Sequence, residues 1–71
     1  MSDGREYLRR MVTNPMLMPQ QRHKAVEALA ELGDYESLYR RAMDPLEFPR
    51  IRDACTKALS RKHRDDADGD E

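Results

Sequence analysis

Moved thirty positions along itself, the chain falls back into register. Glu6, Leu8, Arg10, Pro15, Pro19, Arg22, Ala28 and Leu29 coincide with Glu36, Leu38, Arg40, Pro45, Pro49, Arg52, Ala58 and Leu59. Similar residues coincide elsewhere: Asn14 with Asp44, Met16 with Leu46, Met18 with Phe48, Ala25 with Cys55. Both prolines and the arginine that follows the second of them recur without a gap. A repeat of this period marks a solenoid-type array, whose units are helical hairpins that bury their apolar faces on one another. The stretch from Leu29 to Leu59 contains one whole period: a helix end, a Gly33-Asp34 break, a helix, a proline-bounded loop and a helix.

The predicted class is therefore all-α, with four short helices forming two stacked hairpins over residues 1–61, the repeats spanning about 4–33 and 34–61. Asp3 and Glu6 have capping-box spacing at the start of the first helix, and Tyr7, Leu8, Met11 and Val12 form its apolar stripe. Asn14-Pro15 ends it, because the residue before proline is pushed out of helical geometry. Pro19 suits a first helical position, and Ala25, Val26, Ala28, Leu29 and Leu32 follow as the buried face of the second helix. Gly33 suits a left-handed C-terminal cap, and Asp34 opens the third helix at once. That helix turns Tyr35, Leu38, Ala42 and Met43 inward and ends at Asp44-Pro45; the fourth does the same with Ile51, Ala54 or Cys55, Ala58 and Leu59, and frays near Arg61. Leu29 and Leu59 are expected to be buried equivalents. Residues 62–71 hold no apolar residue but Ala67, and read as a disordered charged tail.

Length and charge narrow the function classes. Seventy-one residues leave room for one domain and none for a catalytic domain beside a substrate-binding one. A single cysteine excludes an intramolecular disulfide framework, no apolar run approaches a membrane span, and the first residues lack the apolar core of a signal peptide. These features give the expectation of a soluble cytoplasmic protein without membrane contact. The net charge of −1 conceals a mildly basic body and an acidic end.

The run Arg22-x-x-Ala25-x-x-Ala28-Leu29-x-x-Leu32-Gly33-Asp34 resembles the second helix and exit turn of a HEAT repeat, in the short form named after phycobilin lyases. Asp44, Pro45, Pro49, Ile51, Arg52, Ala58 and Leu59 resemble the next unit. The resemblance covers nearly all of residues 4–60 and implies a surface that binds other macromolecules. It also implies an inter-repeat ladder of acid and arginine, which falls here on Arg22, Asp44 and Arg52, with Asn14 in place of the first acid.

Candidate chemistry is sparse. His23 and His63 lie on different segments, without the converging ligands a metal needs. Cys55 has no histidine placed to activate it and aligns with Ala25 on a buried stripe, so it reads as a core residue. No catalytic set, cofactor motif or small-molecule substrate is implied. Arg9, Arg10, Arg40 and Arg41 fall on the first helix of each hairpin, a repeat apart. They form either a basic strip for phosphate or an acidic partner, or solvated faces balanced by Glu6 and Glu36. The Met16-Leu17-Met18 loop, with Met11, is the other candidate, since methionines adapt to varied partners; alternatively Met16 and Met18 fold back on the core and leave Leu17 exposed. The expected function is a non-enzymatic protein-interaction module or adaptor, engaging a protein partner or a second copy of itself. The alternative is a nucleic-acid-associated protein that uses the arginine strip.

Overall fold

The structure, a computed structural model, describes residues 4–69. Within them the chain forms four helices and no strand: α1 (Arg5–Thr13), α2 (Pro19–Glu31), α3 (Tyr35–Met43) and α4 (Pro49–Gly69). α1 packs on α2 and α3 on α4, and the two pairs join chiefly through α2 against α4.

The repeat is as visible in hydrogen bonds as in residues. Asn14 and Asp44 end their helices in extended geometry, at ψ 109° and 112°, as a following proline demands. Each side chain then accepts from the amide two residues on, Met16 and Leu46, at 2.9 Å in both loops. The residue before each second proline opens the next helix in the same way: Met18 O accepts from Gln21 and Arg22, and Phe48 O from Ile51 and Arg52. At the end of α2 the Asp34 amide donates to Leu29 O at 3.0 Å around Gly33, whose φ of +81° is open to glycine at little cost. That bond reverses the chain between the hairpins within three residues.

The core consists of Val12, Ala25, Val26, Leu29, Leu38, Ile51, Ala54, Cys55 and Ala58, with Leu8, Met11, Ala30, Tyr35, Ala42 and Leu59 packed at its edge. The small alanines let α2 and α4 approach closely. Several sequence expectations need correction. Leu29 is 1% exposed but its equivalent Leu59 is only half-buried, because Leu29 lies between the hairpins and Leu59 lies on the outer side of the second. Tyr7 and Met43 leave their predicted apolar stripes and are 68% and 64% exposed. Gly4, at φ +90°, precedes α1 in the capping position, and Asp3 lies outside the described residues. α4 does not end near Arg61 but runs to Gly69. No proline or glycine interrupts it before that point, and Lys62 sits 5.1 Å from the Tyr35 ring, a cation–π contact that ties the extension to α3. Of the tail predicted for 62–71, only Asp70 and Glu71 lie beyond the described residues. Among the described residues no helix is long and apolar enough to cross a membrane.

Candidate functional site

One buried arginine ties the two hairpins together. Arg22, 3% exposed, donates from Nε to the Val12 carbonyl at 2.6 Å and from Nη2 to Glu47 Oε1 at 2.6 Å. Its guanidinium also lies 5.4 Å from the Phe48 ring. Glu47 in turn accepts from its neighbouring amide, Phe48 N, at 2.9 Å and from Arg41 at 3.4 Å. A buried charge needs such company, since an isolated one would cost far more than its ion pair returns. Of the ladder residues, Arg22 thus meets Glu47 rather than Asp44. Asp44 pairs with Arg41 at 3.3 Å, and the Nε of Arg52 is buried without a hydrogen-bond partner.

This bridge fixes the two inter-helix loops side by side. Pro15 of the first and Leu46, Glu47 and Phe48 of the second line one groove of about 300 Å³. The middle loop residue points in: the Glu47 side chain is 6% exposed and Leu17 is half-buried. The flanking residues point out, Met16 at 87%, Met18 at 65%, Leu46 at 91% and Phe48 at 51%. That is the reverse of the alternative in which the methionines fold back. Met11, the remaining predicted contact residue, packs at the edge of the core. Leu46 and Phe48 were missed as contact residues, although their alignment with Met16 and Met18 was the available signal.

The structure brings together three of the four arginines of the basic strip. Arg9, Arg40 and Arg41 surround a pocket of about 160 Å³ with Thr13 and Ser37, over a floor of Val12 and Leu29. Arg10 is not among them. Every member is engaged with a carboxylate: Arg9 with Asp34 at 2.6 Å, Arg10 with Glu6 and Arg40 with Glu36 both at 3.0 Å, and Arg41 with Asp44. These pairs largely neutralise the pocket.

The Asp34 carboxylate is buried and accepts from the Arg9 and Ser37 side chains. The Arg9 guanidinium keeps its pKa below the ordinary carboxylate value, against the upward pull of burial, and the Ser37 hydroxyl at 3.0 Å adds to the effect. A carboxyl lowered by folding stabilises the protein fully above its unfolded pKa and loses that contribution as pH falls through the folded one. Asp34→Asn should therefore flatten the acid limb of stability below the usual Asp range of about 4 and leave its shape near neutral pH unchanged. Thermal melts between about pH 7 and about pH 2 would read this; an acid limb as steep as that of wild type would assign the loss to other groups.

Cys55 is wholly buried, and burial first, then the Glu47 charge, pushes its thiol up to about 11. A thiol so placed is a poor nucleophile at neutral pH. His23 lies 3.6 Å from Glu27 on the same helix, His63 is exposed elsewhere on α4, and no cluster of metal-ligating side chains forms among the described residues. Comparison with family models, with curated proteins and with solved structures found no match to this chain.

Proposed function

We propose that this chain is a small HEAT-like interaction module, two hairpins of an α-solenoid, that docks a protein partner along the edge formed by its two inter-helix loops. The carrying observation is the outward display of Met16, Met18, Leu46 and Phe48 from two loops locked together by the Arg22–Glu47 bridge. Large apolar side chains exposed on adjoining loops are a feature of docking surfaces. The bridge spares the partner the cost of ordering the loops, and the methionines and leucine can adjust to its shape. Binding, not catalysis, is the activity this arrangement serves, and the cytoplasm is the compartment that suits its single free thiol.

The test is capture from the source cell with wild type and with a Met16→Glu/Leu46→Glu double variant. Both residues are too exposed for the change to disturb the core, so helicity should persist while the partner specific to wild type is lost. Retention of that partner by the double variant would refute the loop edge as the binding surface. The pocket of Arg9, Arg40 and Arg41 favours a second reading, phosphate binding. It predicts a steeply salt-dependent affinity for duplex DNA, which the carboxylate beside each arginine argues against.

A further inference from the structure

The first hairpin shows what its outer face needs in order to be covered. Val12 and Leu29, on α1 and α2, are 1% exposed because the second hairpin lies over them, and Arg22 beside them receives the carboxylate of that hairpin's loop. Thirty residues on, the same positions are Ala42, Leu59 and Arg52. Ala42 and Leu59 are half-buried, and with Tyr39, Met43, Thr56, Ser60 and His63 they line a mainly apolar groove of about 360 Å³ between α3 and α4. Arg52, one turn before Thr56, meets no carboxylate among the described residues and its Nε is buried without a hydrogen-bond partner, whereas Arg22 takes Glu47 on Nη2 and bonds Val12 O through Nε. Unpaired buried donors are rare in folded proteins and call for an explanation.

The geometry points to this outer face of the second hairpin as a docking surface for a helical hairpin of another protein, one whose inter-helix loop delivers a carboxylate to Arg52 as Glu47 delivers one to Arg22. The surface is distinct from the loop edge above. A second copy of the chain does not meet the requirement by stacking head to tail. At the places of Glu47, Ile51 and Ala54 its first hairpin carries Leu17, Gln21 and Lys24, which bring Arg52 no carboxylate and set polar groups against an apolar groove. A phosphate would satisfy the charge of Arg52 but would leave the apolar groove uncovered.

The hairpin that already satisfies an arginine of this kind is the second one itself, which supplies the probe. The full chain would be extended by splicing one further copy of residues 33–62 in after Lys62. If the face accepts an acid-bearing hairpin, hydrogen exchange at Met43 and Leu59 of the middle hairpin should slow by about tenfold or more. Glu47→Gln in the added copy alone, or Arg52→Gln in the middle hairpin alone, should each reverse most of that protection. An added copy that leaves exchange unchanged, or protection indifferent to both substitutions, would overturn the proposal. Sedimentation of the unextended wild type supplies a second check, with a monomer expected. A dimer that Met43→Glu dissociates would overturn the proposal in favour of a second copy as occupant. Duplex DNA whose binding shifts the Arg52 side-chain resonances would overturn it in favour of nucleic acid.

Discussion

Glu47→Ala is expected to destabilise the fold by about 3–5 kcal/mol, the usual cost of leaving one member of a buried ion pair alone. The partner left behind is Arg22, whose side chain is 4% exposed and too enclosed to recover its hydration. The loss is compounded at the loop, because Glu47 also accepts from the Phe48 amide at the start of α4. Chains of this size have few kcal/mol in reserve, so the variant should be mostly unfolded at room temperature. Urea denaturation followed by far-UV circular dichroism would show it as a lost or strongly shifted transition. Replacing both charges, as Arg22→Met with Glu47→Leu, should recover most of the stability, since an apolar pair of similar volume avoids desolvation altogether. A Glu47→Ala protein with an unshifted midpoint would mean that the bridge does not hold the hairpins together.

The second large effect separates two residues that the sequence makes equivalent. Leu29→Ala should cost about 2–5 kcal/mol, as expected for a leucine enclosed between the two hairpins. Leu59→Ala should cost less than half as much, because part of the leucine already faces water and the neighbouring groove can relax around the gap. The same denaturation experiment on both variants decides the matter. Equal losses would mean that the second hairpin's outer face is already covered in solution.

The contrast between these two leucines shows where reading the chain succeeds and where it stops. Helix ends were legible because their causes are local: a proline two residues on, a glycine free to take positive φ, a short side chain that accepts from the amide two residues further on. The inward positions Val26, Leu38, Ile51 and Ala58 followed from helical spacing alone. What depends on stacking was not legible. A thirty-residue period declares Leu29 and Leu59 alike, but only the arrangement in space tells which has a neighbour above it. The loop residues failed for a related reason. Glu47 is the polar middle residue of its loop, where the first loop has Leu17, yet its carboxylate turns inward to an arginine 25 residues earlier in the chain. Such a pairing has no local signature, and it is what leaves the flanking Met16, Met18, Leu46 and Phe48 facing out. α4 runs past Arg61, where the lack of apolar residues implies a tail, because a helix can continue without an apolar face and none of the residues before Gly69 is a strong helix breaker.

Cys55 gives the molecule an internal clock. It is the only thiol in the chain, it sits in the core on α4, and burial with the nearby Glu47 charge holds it in the protonated form. An alkylating reagent can reach it only when the core around α4 opens, and once exposed the thiol returns to an ordinary pKa near 8.5 and reacts readily in mild base. With closing faster than alkylation, the labelling rate reports how often that core stands open; with reagent in excess, it reports the opening rate itself. Anything that settles on the molecule and steadies its two hairpins would slow the clock, with no engineered probe in the chain.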